Sequence, residues 1–255
     1  MTRLAVKAAT DRGLKREHNQ DSYACWIPDA PEVLERQGVL LVVADGMGGA
    51  RAGDVASRLA VETVVDSYQR AQGSVLTALS QAIEAANEKV YSENLRDPNL
   101  VGMGTTCTAA VVHGSTLFLA HVGDSRGYLV GAGGIRQLTR DHSLVAYLVE
   151  EKSLTPEEAR VDPRRNLVTR SLGLTSGVEV DAFEFELRLR TGDTLLLCSD
   201  GLHGVVDDSD LARAVHGRDL DVACRELIAL ANRAGGPDNI TAVLARLEEE
   251  DDGRS

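Results

Sequence analysis

The sequence predicts an α+β layered fold, antiparallel sheet packed inside helical layers, and three observations lead there. Apolar runs bounded by Gly, Asp and Ser recur along the chain and read as strands. Two long amphipathic stretches follow one another directly. The strands come in runs, then two helices, then strands again, which is not the strand-by-strand alternation with helices that a doubly wound parallel sheet requires.

In chain order the strand candidates are Leu4–Ala9, Ser22–Ile27, Val39–Ala44, Thr105–Val112, Thr116–His121, Gly127–Val130, Val178–Leu187, Thr194–Cys198 and Ile240–Leu247. Over Asp54–Arg70 the apolar residues Val61, Val64, Val65 and Tyr68 fall at i, i+3, i+4 and i+7. Over Ser74–Leu95 the series Leu76, Leu79, Ile83, Ala86, Val90 steps by three and four. Both spacings are helical. A third helix, Asp219–Arg233, begins at an acidic residue and stops before Gly235-Gly236-Pro237. The stretch from His142 to about Arg170 breaks the strand pattern with a short helix-like turn, Thr155-Pro156-Glu157-Glu158, and reads as an insertion lying over something else. With no internal repeat and no Pro/Ser-rich linker, a single domain over residues 1–247 is expected, followed by an acidic disordered tail, 248–255.

Composition narrows the function. Hydrophobic residues make up 43% and charged residues 26% of the 255, ordinary globular usage, so the chain can bury a sizeable core. Acidic residues outnumber basic ones 39 to 27, a net charge of −12. That excess opposes binding to nucleic acid, where cationic side chains must neutralise phosphates, and to anionic membrane surfaces. Only nine residues are aromatic (Phe 3, Trp 1, Tyr 5), too few for base-stacking platforms. The four scattered cysteines form no CxxC pair and read as small buried hydrophobes in a reducing compartment. With no apolar stretch long enough to span a bilayer and no secretory leader at the start, a cytoplasmic protein is expected.

Four aspartates share one context. Asp45 closes VLLVVAD, Asp124 closes LFLAHVGD, Asp200 closes LLLCSD, and Asp238 stands just before the run ITAVLARL. Any one alone is ordinary turn chemistry. Four at the ends of long apolar strands can be brought together by one layered core, and carboxylates so gathered repel one another unless a cation compensates them. Oxygen-only donors select hard divalent ions, Mg²⁺ or Mn²⁺, and the six histidines show no spacing that calls for zinc. In DGMGGARAGD the glycines Gly46, Gly48, Gly49 and Gly53 allow a tight bend after the strand and present the Gly46 carbonyl as a further ligand. Neither GxxxxGK[ST] nor GxGxxG is present, so this turn is not read as a nucleotide site. Near the start, Arg16 can fork onto phosphate oxygens, with Asp21 or Gln20 orienting water or holding the arginine; a solvated loop arginine and a strand-entry aspartate remain the alternative.

The segments KREHNQD, VVADGMGGARAGDVAS, MGTTCTAAVV, HVGDSRGYL, LTRDHSL, NLVTRSLG, LLLCSDGL and GPDNITAVL stand in an order and spacing that resembles the metal-dependent protein phosphatases of the 2C type, above all their bacterial serine/threonine branch. The resemblance runs from about Ala9 to Leu247. It implies a four-layer α-β-β-α sandwich, two antiparallel sheets flanked by helices, with two Mn²⁺ or Mg²⁺ ions at one end. It implies Asp45 as the bridging ligand, the Gly46 carbonyl on one ion, Asp200 and Asp238 on the other, and a third ion at Asp124 and Asp200. Arg16 corresponds to the arginine that grips substrate phosphate, and Asp21 to an acidic residue beside the metal ligands. The 142–170 segment corresponds to the flap, where Arg160, Arg164 and Arg165 would meet the substrate protein. Met47 stands where eukaryotic members carry a His used as general acid, so no proton donor is named for the leaving group. The implied activity is hydrolysis of phosphoserine and phosphothreonine in proteins by a metal-bridging water or hydroxide, by a monomer opposing a Ser/Thr kinase. The alternatives are a catalytically silent scaffold, which would have lost one of Asp45, Asp200 and Asp238, and a metal-dependent hydrolase of another phosphoester, which the negative body opposes.

Overall fold

In the computed structural model, which describes residues 2–48, 52–185 and 189–249, two antiparallel sheets lie face to face between helical layers. One sheet runs in the order β1 (Thr2–Asp11), β11 (Ile240–Glu249), β10 (Thr194–Cys198), β7 (Arg126–Gly131), β8 (Gly134–Gln137). The other runs β2 (Asp21–Trp26), β3 (Val39–Met47), β5 (Cys107–His113), β6 (Thr116–Val122), β9 (Asp181–Phe185), with the two-residue β4 (Gly104–Thr105) paired to the end of β3. Helices α2 (Ala52–Arg70) and α3 (Val75–Arg96) cover the second sheet. Helices α6 (Asp200–His203), α7 (Asp208–Val215) and α8 (Leu220–Arg233) cover the first. The remaining helices are α1 (Pro31–Gln37), and α4 (Leu144–Glu150) and α5 (Pro156–Val161) in the insertion.

The period of two along each central strand builds this arrangement. On β3, Val39, Leu41 and Val43 point into the space between the sheets, while Leu40, Val42 and Ala44 pack against α2 and α3. On β11, Val243, Ala245 and Leu247 face the inter-sheet core, and Ile240, Ala242 and Leu244 face α8. Strands buried on both faces read as continuous apolar runs, which is how they appear in the sequence. Two of the three expected long helices begin at the residues whose side chains announce them. The Ser74 hydroxyl accepts the Thr77 N–H at 3.2 Å and Asp219 accepts that of Val222 at 3.0 Å. The last carbonyls of α7 receive the buried Arg246: its Nη2 donates to Val215 O at 2.8 Å and its Nε to the Thr194 hydroxyl at 2.7 Å. A cation at a helix C-terminus is favoured by the helix dipole.

Several expectations shift at the edges. β3 continues two residues beyond Asp45, because Gly46 and Met47 pair with Thr105 and Gly104. β9 begins at Asp181, three residues later than the expected Val178, and 186–188 lie outside the described residues, as does Gly49. β11 reaches Glu249, two residues into the segment expected to be tail, because β1 pairs with it along its whole length from Asp11↔Ile240 to Thr2↔Glu249; residues 250–255 lie outside the described residues. β8, α1, α4, α6 and α7 were not expected: each spans eight residues or fewer, too short to display a period. Among the described residues no helix is long and apolar enough to cross a membrane.

One polar group is set into the core of the second sheet. His121 on β6 lies opposite Thr108 of β5; its Nδ1 is 2.9 Å from the Thr108 hydroxyl and its Nε2 3.1 Å from the Arg140 carbonyl. A carbonyl only accepts, so Nε2 carries the proton and Nδ1 accepts from Thr108, leaving both nitrogens satisfied in the neutral ring. Burial, helped by the neighbouring His142 and opposed by Asp141 and Asp181, pushes His121 down to about 4. The folded value lies below the unfolded one of about 6.5, so this stabilisation is complete above about pH 6.5 and is lost as pH falls toward 4. In urea denaturation, wild type is expected to lose about 2 kcal/mol more than His121→Gln between about pH 7.5 and about pH 5. Equal losses in the two proteins would show that the ring is not buried neutral.

Candidate active site

Antiparallel pairing decides where the aspartates meet. In the second sheet Asp21 opens β2 directly opposite Asp45 of β3, and the C-terminus of β6, just before Gly123-Asp124, pairs with the start of β5 beside them. In the first sheet Cys198 at the end of β10 pairs with Ala242 near the start of β11 and with Arg126 at the start of β7. That brings Asp200, Asp238 and Asp124 to one end of the sheet, and the sandwich stacks this end on the Asp21/Asp45 end. The contact between sheets is direct, since the Ser199 hydroxyl donates to Asp21 Oδ2 at 2.6 Å.

The electrostatics record the convergence. Burial raises Asp45 well above the carboxylate range, and Asp21, Asp200, Asp124 and Asp238 all add repulsion. Burial likewise raises Asp21 to about 7 and Asp200 to about 6, the latter held back by a hydrogen bond with the Asp45 carboxyl. Asp124 is raised by burial and then by Asp200. Asp21 Oδ1 and Asp200 Oδ1 are buried without a hydrogen-bond partner. Orphaned buried oxygens of this kind are rare and call for an explanation. Among the described residues no three His, Cys, Asp or Glu side chains close on one point as a finished ligand cage. What the fold supplies is carboxylates at coupling distance, not a closed shell.

Around them the backbone is tightly drawn. Asp45 is fixed from both sides: its N–H donates to the Thr106 hydroxyl at 2.9 Å, and its carbonyl accepts from the Thr105 hydroxyl and the Thr106 N–H, each at 2.9 Å. Gly46 packs so closely on the first turn of α2 that a Cβ there would stand 2.0 Å from the Gly53 carbonyl oxygen. The loop before β2 is pinned by Asn239, whose Nδ2 donates to the Arg12 and His18 carbonyls at 2.9 Å while its Oδ1 accepts the Gln20 N–H at 2.8 Å. Gly13, at φ +74°, passes so near Asp238 that a Cβ would lie 2.1 Å from its carbonyl oxygen. The loop so fastened delivers Arg16, whose Nη2 reaches Asp238 Oδ2 at 2.6 Å with the side chain half exposed.

The three insertion arginines stand apart from this cluster in their contacts. Arg160 pairs with Asp207, Arg164 holds Asp162 with two nitrogens, and Arg165 donates its backbone N–H to the Asp162 carbonyl. Arg170 binds Asp181, which also meets His142, and so ties the insertion to β9. Sequence reasoning missed Ser199, Asn239, Thr105 and Thr106, and two histidines, His142 and His203, that hold the Asp124 turn. Asn239 was visible as the neighbour of Asp238; nothing in the spacing of the rest marks them.

A divalent cation fits this donor set. The donors are all oxygen, Asp200 Oδ1 among them lacks any partner, as does Oδ1 of the neighbouring Asp21, and the repulsion that adds to burial in raising the carboxylates is what a bound cation would remove. Asp45, Asp200, Asp238 and Asp124, with the Gly46 carbonyl, are the groups that could hold such ions. A saturating Mn²⁺ salt is expected to raise the thermal midpoint by roughly 5 °C or more and EDTA to reverse it; an unchanged midpoint would refute cation binding.

Comparison with known proteins places nearly the whole chain in one family. A family model described as Protein phosphatase 2C matches residues 14–245. The serine/threonine protein phosphatase PstP of Mycobacterium tuberculosis is 40% identical over 253 residues, 99% of this chain, which spans 46% of that relative's length. The serine/threonine phosphatase stp of Listeria monocytogenes is 41% identical over 254 residues, covering 96% of each chain. The crystal structure of the catalytic domain of PstP in complex with two manganese ions superposes with a TM-score of 0.81 at 38% identity, over 98% of this chain and 100% of that one. Aspartates drawn to one end of a two-sheet sandwich, and a sequence match running almost end to end, agree: the chain belongs to the protein phosphatase 2C family.

Proposed function

We propose that this chain is a metal-dependent protein serine/threonine phosphatase, and the observation that carries the reading is the cluster of Asp21, Asp45, Asp124, Asp200 and Asp238, with Asp21 and Asp124 buried and two oxygens orphaned. In it Asp45 would bridge two Mn²⁺ or Mg²⁺ ions, with the Gly46 carbonyl on one and Asp200 and Asp238 on the other; Asp124, coupled to Asp200, would hold a third. When bound, such ions supply the positive field that draws in a phosphate dianion and acidifies water for attack on phosphorus near neutral pH.

The protein's own residues do the rest. Asp21, held by Ser199, sits behind the ligands and orients what they hold. Arg16 has a half-exposed guanidinium with donors in a fork that matches two phosphate oxygens, and it would hold the phosphoryl group as charge shifts toward the leaving serine or threonine oxygen. Met47 has no proton to give, so it does not serve as the general acid for the leaving oxygen. A covalent phosphocysteine route is disfavoured by the thiols: burial pushes Cys107 up to about 12 and Cys25 and Cys224 to about 11, and raises Cys198 further still.

Every group named comes from one chain, which supports action as a monomer. Four free cysteines support a reducing, cytoplasmic setting, and the substrates would be phosphorylated proteins supplied by a Ser/Thr kinase. Arg160, Arg164 and Arg165 would line the approach of the substrate protein.

The test is release of phosphate from a phosphothreonine peptide with Mn²⁺ and none with EDTA. Asp200→Asn is expected to lower kcat/KM at least about 100-fold without lowering the metal-free thermal midpoint, because it removes a buried charge. Arg16→Ala is expected to raise KM roughly tenfold with no weaker Mn²⁺ binding. Full activity in Asp200→Asn would refute the ligand assignment.

A further inference from the structure

The turn that carries Asp124 is held by two imidazoles from different parts of the chain. Gly123, at φ +114°, lies so close to Thr106 that a Cβ would stand 2.5 Å from its side chain, which leaves the turn no room to shift toward β5. On one side, the Gly123 N–H donates to His142 Nδ1 at 3.0 Å while the His142 N–H donates back to the Gly123 carbonyl at 2.7 Å. On the other side, His203 Nε2 lies 2.9 Å from the Asp124 carbonyl oxygen. That oxygen can only accept, so Nε2 carries the hydrogen. The Ser125 hydroxyl completes the set, 2.8 Å from that of Thr106, the residue that also fixes Asp45.

His203 differs from the others in what it connects. It is the last residue of α6, whose first residue is Asp200, so its ring spans from the helix that carries one carboxylate to the main chain that carries another. Asp124, in a turn, and Asp200, at the start of α6, lie 76 positions apart in sequence, and Asp200 is the largest neighbouring charge acting on Asp124. Arg126 and Asp141 face the ring from behind, but Arg126 binds Asp141 through Nε and Nη2 and is thereby occupied.

We propose that His203 is a positioning residue: its Nε2–H clamps the Asp124 turn onto the Asp200 helix, so that the two carboxylates present themselves to a cation as one rigid unit. The proposal rests on the reading of Asp124 and Asp200 as ion ligands only for its consequence, not for the clamp itself. Removing the donor leaves the Asp124 carbonyl unpaired and lets the turn move independently of α6. Partners that orient ligands in this way typically account for 10- to 100-fold in metal affinity.

The experiment compares wild type, His203→Leu and His203→Gln, since the Gln amide can set an N–H at the reach of Nε2. In the metal-free proteins, hydrogen exchange of the peptide spanning 121–126 is expected to quicken roughly tenfold in His203→Leu and to stay near wild type in His203→Gln, with thermal midpoints alike. In calorimetric titration with MnCl₂, the weakest binding step is expected to loosen about tenfold in His203→Leu and to recover in His203→Gln. Unchanged exchange in His203→Leu, or a Gln variant as impaired as the Leu variant, would overturn the clamp. Faster exchange in His203→Leu while wild type binds no Mn²⁺ would support the clamp and refute the ligand reading.

Discussion

Repulsion among buried like charges is the constraint around which this fold is organised. Carboxylates drawn from β2, β3, the β6–β7 turn and α6 are each pushed upward, first by burial and then by their acidic neighbours. Left alone they would pull the two sheets apart at that end. What holds them is apolar burial elsewhere: one core between the sheets and two more under the helical layers, with Leu40, Leu41, Leu195 and Leu196 completely enclosed. Each such side chain contributes on the order of 2 kcal/mol, and many of them can offset a few unfavourable charges. The strain therefore sits where a cation can relieve it, and the stability sits away from it.

Much of this was legible in the sequence because it is periodic or punctuated. Leu195 and Leu197 alternate with Leu196 and Cys198 between two cores, and a strand buried on both faces leaves an unbroken apolar run. Ser74 and Asp219 announce their helices, and Gly235-Gly236-Pro237 ends one. The aspartates were visible because a charged residue closing such a run is conspicuous. Their meeting was not readable from spacing alone, since it depends on which strand ends the pairing order brings together; the ordered set of motifs supplied what the spacing could not.

The parts that escaped share a physical character. Ser199 reaching Asp21, Asn239 gathering the loop that bears Arg16, and Thr106 holding both Asp45 and Ser125 are single polar contacts between segments far apart in sequence. They leave no period and no local signature, because their geometry exists only once the sheets have stacked. The short helices were missed for a related reason. An eight-residue segment such as α7 is marginal by itself and forms because Leu211, Ala214 and Val215 find a core to enter and Arg246 receives its last carbonyl.

The choice of histidine beside Asp124 follows from the same constraint. A main-chain carbonyl next to a site that must attract cations needs a donor, and Lys or Arg would bring a positive charge that competes with the ion. Arg126 is matched against Asp141 by several hydrogen bonds, so its charge is opposed by a carboxylate beside it. Burial pushes His203 down to about 3, so its ring donates a hydrogen bond while remaining uncharged. A neutral N–H is the donor that can stiffen an acidic turn without weakening its pull on metal, which is why the imidazole of His203, and not a lysine or arginine, caps the Asp124 carbonyl.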